Sequence, residues 1–321
     1  MTRGPLLKTV WPVLRRGPGQ VQFGTDVERG AVVVGLTPAQ VAAVEALDGT
    51  HELPEALTTA SGAVLLDHLV ARGLVVDATG PAALAPAARA VLAPESDALL
   101  RTSSPPEAGY GALVRRHAAH VLVSGRGEVP SAVAEALRRA GVSRVSQGAR
   151  AADDWEHAPA GVPDVVVLVA AGALDPAVAQ PWLRHAVPVL PLVMHEVEAV
   201  VGPLGVPGGP CPRCLDLARA DLDPAWPALL GQLTRPVVGP GADIGGEASL
   251  VGVASAMAAM VVLGVLDGQP LPVGRSLEVG LPWPRVRQRQ WEVHPRCSCA
   301  VRVTSGPPAD TSPPRQVRMA G

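Results

Sequence analysis

The cysteines are the residues whose spacing most directly predicts chemistry. Cys211 and Cys214 form a C-x₂-C pair within Gly208–Leu215, and Cys297 and Cys299 form a C-x-C pair. Turns rich in Pro and Gly let one short segment supply two thiolate ligands, and Zn²⁺ prefers a tetrahedral set of such ligands. The four cysteines therefore predict a zinc site.

Four thiolates would fill the coordination shell of the ion, so the predicted zinc is structural and not catalytic. Two disulfides or free thiols are the alternative use of these side chains. The sequence shows no signal peptide, and we expect a cytoplasmic protein in a reducing compartment. That expectation favours the metal site.

Composition narrows the range of functions. The chain has 321 residues, which is enough for two domains, and a formal net charge of −2. This balance gives no reason to expect a nucleic acid or an anionic membrane as a partner. The most apolar stretch, residues 249–266, is diluted with Gly and Ala and predicts a buried helix.

Residues 1–77 have the pattern of a winged helix-turn-helix unit, with Val-rich strands before three short helices and a returning strand. Thr37-Pro-Ala-Gln40 predicts the capped start of the first helix. The predicted strands cover residues 6–14, 20–24, 31–35 and 74–76, and the predicted helices cover 38–47, 53–59 and 63–71.

Winged helices commonly bind DNA, but this unit lacks a basic face. Arg72 is the only Arg or Lys between residues 37 and 73, where five side chains are acidic. A helix that contacts phosphates needs cations, so DNA binding is not expected. A docking surface for a peptide and a purely structural cap are the alternatives.

Residues 78–117 are rich in Ala and Pro and predict a linker with one or two helices, before a Rossmann-like domain over 118–304. That domain opens with a strand, a glycine turn and a helix. Gly125 and Gly127 fit the first two glycine positions of a dinucleotide fingerprint, while the third is held by Pro130, or by Ser131 if the turn is one residue longer. A turn that binds no ligand is the alternative.

Alternating strands and helices follow, and they predict a parallel sheet covered on both sides. Residues 196–207 are expected to run as extended chain, and residues 305–321 as a disordered tail. The predicted strands cover 143–148, 164–170, 187–193, 275–280 and 286–293, and the predicted helices cover 176–184, 216–220 and 246–266.

The segment Leu204–Trp226 resembles the cysteine segment of actinobacterial proteins of the ThiF/ubiquitin-activating-type superfamily. Within that superfamily the sequence is most similar to the precursor leader-peptide-binding proteins that partner azoline-forming cyclodehydratases. The resemblance covers residues 118–304. It implies an α/β fold in which an N-terminal winged-helix peptide clamp precedes a ThiF-type domain with a structural zinc on the four cysteines.

The resemblance also implies where a peptide would be held. In such clamps the edge of the third strand and the third helix grip an extended peptide, and peptide addition to a sheet edge is physically sound. His68 is equally well explained as a solvated helix residue. The matching positions here are Val32, Val33, Val34, Leu65, His68 and Leu69.

Departures from the superfamily pattern concern ATP. Adenylating members carry an acidic residue after the second strand, where this chain has Ser146 and Gln147, and they use a lysine, whereas the only lysine here is Lys8. The expected Mg²⁺ position offers no carboxylate until Asp175. Phosphoryl chemistry depends on cations and metal, so adenylation is expected to be lost and ATP is not expected as a cofactor.

Three functions remain as hypotheses. The first is a non-catalytic scaffold that binds a precursor leader peptide for a separate ATP-dependent cyclodehydratase, and such scaffolds commonly form homodimers. The second is an ATP-dependent ThiF-type adenylyltransferase that activates a carboxyl terminus. The third is a winged-helix regulator with a cofactor-sensing Rossmann domain, which the acidic 37–73 region disfavours.

Overall fold

Two hydrophobic cores organise the chain, one beneath a small N-terminal sheet and one around a large mixed sheet. The predicted tail at 305–321 and parts of the predicted linker lie outside the described residues. The computed structural model describes residues 6–7, 11–26, 28, 30–49, 51–77, 84–103, 108–148, 161–235 and 243–299.

The N-terminal unit contains a sheet of three described strands in the order β2-β3-β4, all antiparallel. The predicted single strand over residues 6–14 is wrong, because β1 pairs with the returning strand β5 while Val13 already belongs to β2. The elements are β1 (Leu6–Leu7), β2 (Val13–Gly17), β3 (Gln20–Phe23), β4 (Ala31–Val34), α1 (Pro38–Ala46), α2 (Glu55–Thr58), α3 (Ala60–Ala71) and β5 (Val76–Asp77).

Helix α1 begins as its sequence predicts. The Thr37 side chain accepts a hydrogen bond from the Gln40 backbone N–H at 3.2 Å, and the Gln40 side chain accepts one from the Thr37 backbone N–H at 3.0 Å. This reciprocal pair satisfies two N–H groups that a helix start leaves without partners. The helix then buries Val41 and Val44 in the N-terminal core.

The linker region contains three helices among its described residues, where the sequence predicted one or two. They are α4 (Pro86–Val91), α5 (Ala93–Thr102) and α6 (Ala108–Ala118). Gly109 lets α6 approach the backbone of α5, since a Cβ there would lie 2.7 Å from the Leu99 carbonyl carbon. Leu100 of α5 belongs to the N-terminal core, so these helices continue that unit.

A sheet of seven described strands forms the second core, in the order β12-β11-β10-β9-β8-β6-β7. Strands β7, β6, β8 and β9 are parallel, and β10, β11 and β12 are antiparallel to their neighbours. The strands are β6 (His120–Ser124), β7 (Arg144–Gln147), β8 (Val165–Ala171), β9 (Val189–Met194), β10 (Glu198–Val201), β11 (Arg275–Gly280) and β12 (Arg285–Gln290).

The prediction of a parallel sheet is therefore wrong for strands β10, β11 and β12. Parallel strands need a crossover of a dozen residues or more. Only residues 195–197 separate β9 from β10, and only residues 281–284 separate β11 from β12. Both connections are hairpins, and the stretch predicted as extended chain contains β10.

Helices cover both faces of this sheet. Helices α7 (Glu128–Arg139) and α11 (Ala248–Leu266) pack on one face, and α8 (Pro176–Arg184) packs on the other through Trp182. Helix α11 is long and apolar enough to cross a membrane by length and composition alone. Its inner face lies on the sheet and α7, as the sequence predicted for a buried helix. The other helices are α9 (Pro212–Leu222) and α10 (Trp226–Leu233).

A buried guanidinium joins the linker helices to the second core. Arg116 of α6 donates to both carboxylate oxygens of Asp267, at 2.7 and 2.6 Å, and to Glu95 at 2.7 Å. The side chains of Arg116 and Asp267 are both buried. Such a pair contributes little over an apolar pair, but removing one partner leaves an uncompensated buried charge.

We expect Arg116→Ala to lower the free energy of unfolding by roughly 3–5 kcal/mol, because Asp267 would stay buried without its partner. The double variant Arg116→Met/Asp267→Leu removes both charges and should recover most of that loss. Urea denaturation measures both values. A single variant as stable as the unchanged protein would contradict this view of the junction.

Candidate metal centre and glycine turn

Two turns bring the four cysteines together. Cys211 is the N-cap of α9, and its carbonyl accepts the N–H of Cys214 at 2.8 Å. After β12 the chain turns again, and the N–H of Cys297 donates to the His294 carbonyl at 2.9 Å. The β11–β12 hairpin thus carries the second cysteine pair back to the first.

The sulfur geometry suits a metal ion. All four Sγ atoms lie within 4.8 Å of one another, and the closest separation, between Cys214 and Cys299, is 3.2 Å. A tetrahedral ion with Zn–S bonds of about 2.3 Å requires sulfur separations of about 3.8 Å. Cys211 lies 3.7, 3.6 and 3.7 Å from the other three sulfurs. The four cysteines are free of disulfides, and the site could hold a metal.

Electrostatics within the cluster favours a thiolate at one position. A hydrogen bond from Cys211 is the main cause that lowers the pKa of the Cys214 thiol to about 4. The same contact raises the pKa of Cys211, and burial raises the pKa of Cys299 to about 12. Metal ligands must be deprotonated, so an ion that binds here would displace protons from these other thiols.

His294 supports the second turn, and both nitrogens of its ring have partners other than the cysteines. Its Nε2 lies 2.9 Å from a carboxylate oxygen of Asp221, and its Nδ1 accepts the N–H of Arg296 at 3.2 Å. Arg296 also pairs with Asp221. These contacts anchor the turn on α9, while the backbone of His294 hydrogen-bonds to Cys214.

A cavity of about 300 Å³ borders the cysteine cluster. Its walls come from α8, from the turn before α9 and from the second cysteine turn. Cys211, Cys297 and Cys299 line it, and of these Cys211 and Cys299 are half-buried while Cys297, like Cys214, is buried. The cluster therefore borders this cavity through three of its four cysteines.

We expect the purified protein to contain one zinc ion per chain. Cys214→Ser and Cys297→Ser should each lose the metal and lower the free energy of unfolding by roughly 3 kcal/mol or more, since metal binding is coupled to folding. Elemental mass spectrometry and urea denaturation provide the measurements. Ser298→Ala, which changes an exposed side chain between two of the cysteines, is the control. Full metal content in either cysteine variant would contradict the assignment.

The glycine turn after β6 is occupied by the chain itself. Gly125 and Gly127 both have φ of +107°. The carbonyl of Ile244 accepts the N–H of Val129 at 3.1 Å, and the N–H of Ile244 donates to the Arg126 carbonyl at 2.7 Å. A phosphate at a helix N-terminus would use such N–H groups. In this structure Ile244 takes that position.

The other expected nucleotide positions also have internal partners. Ser146 Oγ lies 2.9 Å from His120 Nε2, and the Gln147 amide donates to Ser131 Oγ at 2.8 Å. The Asp175 carboxylate accepts the N–H of Ala177 at 2.8 Å and caps α8. Each group therefore has a structural role.

Gly127 permits the close approach of Ile244. A Cβ at Gly127 would lie 2.6 Å from the Ile244 nitrogen, so we expect Gly127→Ala to cost about 2–4 kcal/mol in unfolding free energy. Gly148→Ala is the matched control, because Gly148 has φ of +124° but open space around a Cβ. The control isolates backbone strain, and denaturation of both variants measures the difference. Equal losses would contradict the contact.

The six predicted clamp residues fall into two groups. Val32 and Val34 point away from the core and are 46% and 64% exposed, and His68 is exposed as well. Val33 and Leu65 pack partly against the N-terminal core. Leu69, 1% exposed, lies within that core, and a peptide could not contact it in this conformation.

Solved structures share this fold. Over 92% of this chain the heterocyclase TruD is similar, with a TM-score of 0.63 and 17% identity, and the chain spans 42% of TruD. E. coli MccB solved with MccA gives a TM-score of 0.60 and 15% identity over 91% of this chain and 98% of MccB. PaaA gives 0.66 and 13% over 89% of this chain and all of PaaA.

No protein-family model matches the sequence, and the search of curated proteins finds no relative. The structural likeness places the chain among proteins with the fold of heterocyclases and MccB.

Sequence reasoning missed Ile244 and the three-residue hairpin before β10. Ile244 follows a Gly/Pro-rich segment whose sequence contains no signal for contact with Arg126 or Val129. The hairpin was not predicted because residues 196–207 lead directly into the first cysteine pair. The Pro and Gly residues of this segment are typical of irregular chain. The glycines at positions 125 and 127 were the one available sequence signal that another segment approaches this backbone closely.

Proposed function

We propose that this protein is a non-catalytic scaffold that binds a precursor leader peptide in the biosynthesis of azoline-containing peptides. The observation that carries the proposal is the open edge of β4. In the described sheet β4 pairs with β3 alone, and its outer face presents Val32 and Val34. An extended peptide can add to such an edge through backbone hydrogen bonds and place alternate side chains against the two valines.

The fold supports this role. Its structural neighbours include a heterocyclase solved with substrate and cofactor, and MccB solved with MccA. We propose that a separate ATP-dependent cyclodehydratase supplies the ring-forming chemistry, because Ile244 contacts the glycine turn at which this chain would bind a nucleotide. The four cysteines would hold a structural zinc, and the protein would act in the cytoplasm.

The alternative is an ATP-dependent adenylyltransferase that activates a carboxyl terminus. The glycine turn between β6 and α7, at the point where the strand order reverses, favours it. The contact of Ile244 with that turn opposes it, because nucleotide binding would first have to displace this residue. We therefore prefer the scaffold.

Peptide binding tests the proposal. We expect fluorescently labelled leader peptides from neighbouring precursor genes to bind the zinc-loaded protein, and Val32→Glu or Val34→Asp to weaken binding by at least about tenfold through burial of a charge in the interface. Val162→Glu, an exposed position in the second domain, is the control. Equal affinity of the β4 variants and the unchanged protein would overturn the assignment of the site.

The outer face of α11 favours a homodimer as the working form. The helix carries no charged residue, and this face exposes Met260 (71%) and Val253 (40%), with Met257 and Val261 half-buried beside them. Because the face lacks charge, a second copy meets it without like-charge repulsion. An exposed apolar face of this kind marks an interaction site.

We expect light scattering to give twice the chain mass of 32.9 kDa and Met260→Glu to give the monomer. A glutamate at Val91, which is equally exposed on α4, should leave the dimer intact. A monomeric unchanged protein at all concentrations would contradict the dimer.

A further inference from the structure

Strand β12 lies at an open edge of the seven-stranded sheet, which is a different sheet from that of β4. In the order of the described strands β12 is outermost, and it pairs with β11 along one side only. All six of its residues are exposed. One row of backbone N–H and C=O groups therefore faces outward, which is the template that an added strand requires.

Arginine occupies every second residue of β12. Arg285, Arg287 and Arg289 stand opposite Gly280, Glu278 and Ser276, so the three arginines share one face. No acidic residue occurs between Glu278 and Glu292. Three arginines stand against Glu278 and Glu198 on this face, which leaves it with a net positive charge although the whole chain has a net charge of −2.

Two of these arginines pair with glutamates on neighbouring strands of the same sheet face. Arg289 donates to the buried Glu278 at 2.7 Å, and Arg287 donates to Glu198 at 2.9 Å. Their side chains nevertheless remain 53% and 54% exposed. Each guanidinium therefore keeps donors available to a partner while its position is fixed.

Tryptophan rings lie against the guanidinium groups of nearby arginines. The guanidinium of Arg289 lies 5.4 Å from the ring centroid of Trp291, and that of Arg219 lies 5.7 Å from the same ring and 5.0 Å from Trp226. Stacked arginine and tryptophan side chains lose little entropy on binding and are enriched where partners dock. At the hairpin end, Trp283 is exposed beside Arg285.

We propose that β12 is a docking edge for an extended acidic segment of a partner, with carboxylates at alternate positions facing the three arginines. A second copy of β12 fits poorly, because antiparallel self-pairing would bring arginines opposite arginines. An acidic strand instead gains charge-assisted hydrogen bonds at a two-residue repeat. The chemistry differs from that of β4, whose edge is apolar, so the proposal is independent of the peptide clamp.

The test is a titration of the zinc-loaded, full-length protein with a fluorescent peptide of alternating Glu and Val, about seven residues long. We expect binding that weakens with salt and is lost when Lys replaces Glu in the peptide. Arg285→Glu should weaken binding by at least about tenfold. Arg275→Glu, on the opposite face of the same sheet, and Val34→Asp on β4 should leave it unchanged.

Backbone pairing is tested separately by two N-methylated forms of the peptide, each blocking alternate amides. Addition to the β12 edge predicts that one form fails to bind while the other binds as before. Equal binding of both forms would overturn the proposal in favour of a contact through charge alone. Absence of binding, with self-association of Arg285→Glu, would also overturn it and show that the arginines only protect the edge.

Discussion

The structure depends on the convergence of four sulfur atoms at one point. Cys211 and Cys214 begin α9, and Cys297 and Cys299 follow the last strand, so their cluster closes the antiparallel half of the large sheet against α9. Without the cysteine cluster, the β11–β12 hairpin would still be held by the pairing of β11 with β10. The ion pairs of His294 and Arg296 with Asp221 would hold it as well. A metal at this position would stabilise an arrangement that the small apolar cluster around Leu215 covers only in part.

Among the described strands, β4 and β12 both lie at sheet edges, and Ile244 contacts the glycine turn where a nucleotide would bind. Edge β4 is apolar and edge β12 is basic, so the two would select different extended segments. Ile244 meanwhile satisfies the N–H of Val129 at the start of α7. In the scaffold function proposed above, these edges would supply the binding surfaces and the reacting groups would come from a partner.

Local signals predicted much of this from the sequence. The capping box at Thr37 and the strand, glycine turn and helix that follow His120 lie where the residues indicated, and the cysteine spacings predicted a cluster that the structure brings together. The predicted strand direction was wrong where the short connection between β9 and β10 reverses the chain, because hydrophobic periodicity indicates burial and not strand direction. Contacts such as that of Ile244 with Arg126 join residues far apart in the sequence, and no local pattern encodes them. The burial of Leu69 escaped notice for a related reason, since an apolar helix residue can serve either the core or a ligand.

We propose that this chain binds a peptide and does not activate one with ATP. Calorimetric titration of the zinc-loaded protein with Mg·ATP, followed by a pyrophosphate-exchange assay, tests it most directly. We expect no heat of binding and no exchange, because Ile244 occupies the turn and Asp175 caps a helix. Micromolar binding of ATP together with pyrophosphate exchange would contradict it and restore the adenylyltransferase.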